Sequence, residues 1–291
     1  MITELKYKVR QVSSFVDESF DTKDLAGYHL ILQAGTDGLL AAVLDRDKNK
    51  YIGFEYFSFQ QIFSQELISD LYGIASNESS IIPLKYPSVS FSIVNNHSTL
   101  IPSALYDENH SRSYLSLGSA IQNDDLVLSD SIRNQDAVNV FAMPLSLKSK
   151  IDSVYPRVKY HHFSSSLIEG LLALNRNQSK KRLYLHVQPS HFEAVIIDGK
   201  SLLYYNTFNY HTAEDFIYYT LFVCEQLHLN PETTETILIG EIERTSTIFS
   251  LTQKYVRSLK FGDRNDSSDF GYQLQTLPKH SYFSLFNSYL T

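Results

Sequence analysis

The sequence predicts an α/β chain built from two copies of one unit, with a small strand-helix-strand insert in the first copy. Three observations predict it. Residues 28–59, YHLILQAGTDGLLAAVLDRDKNKYIGFEYFSF, read strand, turn, strand, turn, strand, because runs of apolar and aromatic residues are separated by glycine- and aspartate-rich turns. Residues 183–210, LYLHVQPSHFEAVIIDGKSLLYYNTFNY, repeat that order. Each meander leads into a stretch whose apolar residues recur at helical spacing.

Taken in order, residues 4–12 fit an edge strand and 17–26 a polar connection. Residues 29–33 form the first meander strand, and Gly35-Thr36-Asp37-Gly38 its turn. Residues 39–45 are nearly all apolar, which predicts a central strand buried on both faces. Residues 47–49 turn the chain into a third strand at 51–57. A helix is predicted from about Gln60, with Phe63, Leu67, Leu71 and Ile74 on one face. In the second copy Thr212 is placed to cap the next helix, with Glu214 and Asp215 in its first turn, where carboxylates favour the helix dipole. Phe216, Thr220, Val223 and Leu227 form its inner stripe.

Residues 236–240 then read as a buried strand. Residues 243–256 read as a helix with Ile248, Leu251 and Tyr255 inward, and 259–262 as a further strand. The first copy offers the same series at 138–143, 145–154 and 158–162, followed by a helix over 166–174 in which Ser166 and Glu169 have capping-box spacing. Matching Gln33 with Gln188 sets the two meanders 155 apart (188 − 33), and Met143 matched with Gly240 sets the later strands 97 apart. The surplus places the insert at roughly residues 77–136. The polar stretch 175–181 is the hinge between a first domain over 1–176 and a second over 177–291.

Length and composition allow two domains with real cores: 291 residues, 43% hydrophobic and 20% charged. A formal net charge of −7 argues against nucleic acid or anionic lipid as a partner, since phosphate binding needs a basic surface. The basic run Lys180-Lys181-Arg182 reads as the solvated start of a strand. A single cysteine, Cys224, allows no disulfide within the chain. With an N-terminus lacking a signal-peptide core and no long apolar run, this sets the expectation of a cytoplasmic protein without stable membrane insertion.

The order β-β-β-α-β-α-β-α in each half, with the stretches Asn139-Val-Phe-Ala-Met-Pro144 and Tyr160-His-His-Phe-Ser164, resembles an uncharacterised bacterial family with the actin-like ATPase fold. That fold is built on the ribonuclease H-like motif, and the insert makes the chain similar to its division and pilus-assembly branch. The resemblance implies two domains facing each other across a cleft that holds ATP and magnesium. It also implies an acidic residue closing the first strand of each copy and glycine-rich phosphate loops.

The corresponding residues here are Gln33, Gly35, Thr36 and Asp37 in the first loop, Gln188 and Ser190 in the second, and Gly240 at the adenosine segment. Glutamine offers magnesium no anionic ligand. Pro189 removes a backbone donor from a second loop that has no glycine. The expected function is therefore a degenerate, non-enzymatic scaffold or assembly protein with a protein partner. The alternative is an ATPase or small-molecule kinase with divergent phosphate loops, and a third reading is a peptide-binding module acting through the insert. The competing ordinary readings are a tight hairpin at 35–38, core histidines at His161, His162, His186 and His191, and an inert helix cysteine at Cys224. For the aromatic segment 282–290 the expectation is packing against the second domain rather than a membrane anchor.

Overall fold

The structure is a computed structural model that describes residues 9–60, 67–133, 135–265 and 267–290. The chain divides into two compact units. The first comprises residues 1–167, 266–277 and 284–291, the second residues 168–265 and 278–283.

The first unit begins with β1 (Val9–Val16), β2 (Tyr28–Ala34), β3 (Gly38–Asp45) and β4 (Lys50–Phe59), then α1 (Ile68–Glu78) and β5 (Ser88–Ile93). An excursion follows: β6 (Ser98–Pro102), the short helix α2 (Ser111–Ser116), β7 (Asp125–Ser131) and β8 (Ala137–Pro144). Helix α3 (Leu145–Val154) and β9 (Val158–His162) complete the series, and α4 (Phe163–Asn175) begins in the first unit and continues into the second from Ile168. The main sheet has the order β1-β4-β3-β2-β5-β9. Strands β2 and β3 are buried at every position, as expected for apolar strands covered on both faces. Leu71 is in the core, with Leu67 and Ile74 packed against it. Phe63 lies outside the described residues.

The second unit contains β10 (Lys181–Val187), β11 (His191–Asp198), β12 (Ser201–Asn209), α5 (Ala213–Gln226), β13 (Glu235–Gly240), α6 (Thr247–Tyr255) and β14 (Leu259–Phe261). Its sheet order is β12-β11-β10-β13-β14. Thr212 caps α5 in a reciprocal capping box with Asp215. Cys224 is buried on the inner face of α5, and burial pushes its thiol up to about 11, which suppresses the reactive thiolate.

The strand pairings correct the placement of the insert. β5 lies parallel to β2 just as β13 lies parallel to β10, and β9 extends β5 as β14 extends β13. The counterpart of β13 is therefore β5, not residues 138–143, and the surplus sequence lies between β5 and α3 rather than at 77–136. β8 is the centre of a separate three-stranded antiparallel sheet, β6-β8-β7. Its alternate residues serve two cores. Phe141 and Met143 join the main core, whereas Val138, Val140 and Ala142 pack with Leu115 of α2. A strand buried on both faces reads as an unbroken apolar run, so 138–143 mimics a main-sheet strand.

A buried polar cluster ties this insert to the body of the unit. The Asp130 carboxylate on β7 accepts from the His162 backbone N–H at 2.9 Å, the Ser165 hydroxyl at 2.6 Å and Nδ1 of His161 at 3.0 Å. Asn139 on β8 donates to the hydroxyls of Ser164 and Ser165, both at 2.9 Å. Nε2 of His162 donates to the Asn95 carbonyl at 3.1 Å, which leaves Nδ1 to accept from Ser164, 2.6 Å away. Helix α4 therefore begins at Phe163 with a carboxylate from a distant strand over its first turn, and Ser166 is not its cap.

Helix α6 is likewise shorter than the sequence suggests. Ser246 caps it, its hydroxyl accepting from Phe249 N at 3.1 Å. Phe249 and Thr252 face inward while Tyr255 is 52% exposed. Of the C-terminal segment, residues 266–277 and 284–291 belong to the first unit and only 278–283 to the second. In the first unit β15 (Asp269–Phe270) pairs with β4, and α7 (Phe283–Asn287) follows.

Candidate functional site: two first-strand hairpins

The residues singled out by sequence sit on the β2–β3 hairpin of the first unit and on the β10–β11 hairpin and the end of β13 in the second. Gly35 N–H donates to the Gly38 carbonyl at 3.0 Å, and Gln188 N–H to the His191 carbonyl at 2.9 Å. The last ladder pairs are Ala34 with Leu39 and Val187 with Phe192. On the other side, Ala34 pairs with Ile93 and Val187 with Gly240. These registers set the copies 153 apart (187 − 34), not 155. Gln33 is thus the counterpart of His186, and Gln188 the counterpart of Gly35. Matching glutamine to glutamine slid the alignment by two positions because the second turn keeps no glycine to mark its place.

Each first-strand position holds a buried polar side chain bonded within its own unit. Gln33 is 5% exposed, and its side-chain oxygen accepts from the Ser284 hydroxyl at 3.0 Å. Beside it on the parallel ladder, Ser92 shares a hydrogen bond with Ser288 at 3.1 Å. His186 is buried, and its Nδ1 lies 2.7 Å from a carboxylate oxygen of Glu193, which is fully buried. A carboxylate only accepts, so Nδ1 carries the proton. Nε2 of His191 lies 3.4 Å from the other Glu193 oxygen. Sequence reasoning missed this arrangement, although the charged Glu193 inside the apolar strand HFEAVIID signals it.

The remaining candidates serve the turns. Thr36 and Asp37 are half-buried, and the Asp37 carbonyl accepts from Phe59 N at 2.7 Å. A Cβ on Gly35 would meet Cβ of Val94 at 3.1 Å and its carbonyl at 3.2 Å, so a close chain passage explains this glycine. The Gln188 carbonyl accepts from the Tyr210 hydroxyl at 2.5 Å, and the Ser190 carbonyl from Tyr210 N at 3.1 Å. Burial, with Glu241 and Glu193 nearby, pushes the Tyr210 phenol up to about 12.

Gly240 has φ +91°, and a Cβ there would lie 2.3 Å from the Val187 carbonyl. Its N–H donates to the His280 carbonyl at 2.8 Å, and His280 Nε2 donates to the Ile242 carbonyl at 2.8 Å. Gly240 therefore permits close strand packing. Gly240→Ala is expected to cost about 3 kcal/mol, from left-handed strain and backbone overlap together, measured by urea denaturation. A loss below about 1 kcal/mol would refute that role.

Neither hairpin presents a carboxylate at its first-strand position. Among the described residues, no three His, Cys, Asp or Glu side chains converge in metal-binding geometry. Also among the described residues, no helix is long and apolar enough to cross a membrane.

The comparisons with known proteins agree with this architecture. The sequence profile of a family described as "Protein of unknown function (DUF3822)" matches residues 17–259. A Bacteroides thetaiotaomicron VPI-5482 protein, described as having an actin-like ATPase fold and unknown function, is similar at TM-score 0.76 and 21% identity. That match covers 84% of this chain and 93% of the other. The PilM-PilN type IV pilus biogenesis complex contains a chain similar at TM-score 0.53 and 11% identity, covering 90% of this chain and 97% of that one. No curated protein matches the sequence. The fold is the actin-like ATPase fold.

Proposed function

The chain belongs to this family of proteins of unknown function, and for it we propose a non-enzymatic role, as a degenerate actin-like protein that acts as a scaffold or assembly partner in the cytoplasm. The observation that carries this reading is the pair Gln33 and His186. These residues stand where an actin-like ATPase has its acidic residues, and they are engaged by Ser284 and Glu193. Neither is a carboxylate, so neither gives magnesium an anionic ligand. Gly35 and Gly240, the glycines that would admit a nucleotide, are each explained by a close approach within the unit. The similar chain in the PilM-PilN structure is itself part of a complex, which fits a protein partner here.

The test is thermal denaturation with and without millimolar Mg-ATP, beside an assay of phosphate release. The expected result is an unchanged melting temperature and no hydrolysis. A ligand present at a hundred times its Kd would stabilise by about 2.7 kcal/mol, a shift readily seen. The rival reading, a divergent ATPase or small-molecule kinase, draws on the half-buried Thr36 and Asp37 in the retained Gly35–Gly38 hairpin. Magnesium-dependent hydrolysis abolished by Thr36→Ala or Asp37→Ala would establish that rival and overturn the scaffold reading.

A further inference from the structure

Helix α5 buries Phe216, Ile217, Thr220, Val223 and Cys224 against the second unit. On its other side Glu214, Tyr218, Phe222 and Glu225 are all exposed, and they follow one another in steps of four, four and three residues. That spacing places them on one stripe of the helix, with the half-buried Leu221 on the same stripe. Glu214 and Glu225 stand 11 residues apart (225 − 214), and 11 residues rise about 16 Å along a helix.

The two rings are unusual for this chain. Among the described residues Phe222, 40% exposed, is the most exposed phenylalanine of a sequence with 18, and Tyr218 is 63% exposed. They are also held in place. Tyr218 stacks on Phe222 with centroids 6.5 Å apart and meets Tyr219 edge-on at 5.3 Å. Tyr219 stacks on Phe208 of β12 at 5.1 Å, and Phe208 on the buried Phe192 at 5.4 Å. A continuous run of rings thus ties the exposed pair to the core of the second unit. Side chains ordered in advance lose little entropy when a partner covers them.

The charge around the pair defines what fits it. Helix α5, AEDFIYYTLFVCEQ, carries three carboxylates and no lysine or arginine. Neither Glu214 nor Glu225, which bracket the rings, forms an ion pair among the described residues. Aromatic faces attract cations, arginine above all, because its flat guanidinium both stacks on rings and bonds carboxylates. We propose that this face of α5 docks a basic amphipathic helix of a partner protein. Its arginines would reach Glu214 and Glu225, and apolar side chains between them would cover Tyr218, Leu221 and Phe222. The row Glu214–Tyr218–Phe222 has the four-residue spacing of a ridge that fits the groove of a second helix. A second copy of this chain is a poor occupant, since each copy carries a net charge of −7 and α5 against α5 sets carboxylates against carboxylates. The docking face rests on the assembly role proposed above and gives that role a partner chemistry.

The test uses a synthetic peptide of about 18 residues, long enough to hold a helix, with arginines at the same 11-residue spacing, leucines on the face between them and one tryptophan. The chain itself has no tryptophan, so the peptide's emission reports binding to the full chain without background. The expected result is a Kd of about 10 to about 100 μM at low salt, weakening as salt rises. Tyr218→Ala with Phe222→Ala is expected to weaken binding at least about tenfold with little change in melting temperature, because both side chains are exposed. Glu214→Gln with Glu225→Gln, which keeps the shape of the face, is expected to weaken binding about as much at low salt and to flatten its salt dependence. No emission change at about 500 μM, binding indifferent to both double variants, or equal binding of a peptide with glutamates in place of its arginines overturns the proposal. So does self-association of the chain that Tyr218→Ala with Phe222→Ala abolishes, which would assign the face to a second copy. None of these outcomes touches the non-enzymatic reading, which stands or falls on the Mg-ATP measurements.

Discussion

Asp130→Ala should cost about 4 kcal/mol of stability, the loss expected when a buried, fully partnered charge is taken from its donors. The carboxylate accepts from three groups at once: the His162 backbone N–H, the Ser165 hydroxyl and Nδ1 of His161. Asp130 is 8% exposed, and Ser165 and His162 are fully buried, so water does not readily replace it. The negative charge also sits over the first turn of α4, where the helix dipole favours it. Asp130→Asn should fail as well, because its NH2 would face groups that are themselves donors. An exposed helix cap, by contrast, costs only about 1 kcal/mol when lost. Urea denaturation at constant m-value measures the difference, and a loss near 1 kcal/mol would show Asp130 to be a solvated cap. The same variant should make the insert more susceptible to proteolysis between β6 and β7, since its β7 strand would no longer be held to β9 and α4.

That cluster also shows why the sequence was legible in some places and not in others. The meanders were readable because each strand is a short apolar run bounded by Gly, Asp, Asn or Pro, and both copies obey the pattern. Thr212 was readable because its cap is local, three residues from Asp215. The start of α4 was not, because it is held by Asp130, on another strand far back in the chain, through the His162 backbone N–H and the Ser165 hydroxyl. The insert was misplaced for a related reason. β5 (SVSFSI) alternates serine with apolar residues while β8 (AVNVFAMP) is the more apolar run, and only pairing partners reveal that β5 joins the main sheet while β8 centres a separate one. For α6, helical periodicity pointed at Tyr255, whereas the Ser246 cap sets a register that buries Phe249 and Thr252.

The candidate site followed the same rule. Its location on the two first hairpins was legible, because element order fixes which strand end carries the loop. The identity of the second first-strand residue was not, because two glutamines looked equivalent and the register that separates them exists only in the ladder. With the register corrected, the two equivalent first-strand positions, Gln33 and His186, are filled in different ways. In the first unit a neutral amide bonds to a serine. In the second a histidine bonds to the Glu193 carboxylate of the neighbouring strand.

Phe286→Ala should cost about 4 kcal/mol, in the range for removing a buried phenylalanine. Phe286 is 8% exposed. Its ring meets Tyr51 at 4.9 Å and Phe270 at 5.0 Å, both edge-on, and Phe54 at 6.0 Å. Its carbonyl accepts from the buried Tyr51 hydroxyl at 2.6 Å. This aromatic contact anchors the segment that places Ser284 on Gln33 and Ser288 on Ser92. Residues 284–288 therefore pack in the first unit, where Phe286 meets the rings of Tyr51, Phe270 and Phe54. Tyr51→Phe alone should cost about 1 kcal/mol, the net value of one hydrogen bond. Combined with Phe286→Ala it should still cost about 1 kcal/mol, because the hydroxyl bonds the residue 286 backbone carbonyl, which alanine keeps, and the ring contact is lost separately. If Phe286→Ala instead lay within about 1 kcal/mol of the wild type, the segment would be an incidental covering. The engagement of Gln33 would then say little about function, and the weight of the non-enzymatic reading would shift to His186 and Glu193. A full loss would mean that Gln33, through Ser284, is part of a structural joint. Releasing it would expose an amide and create no magnesium site.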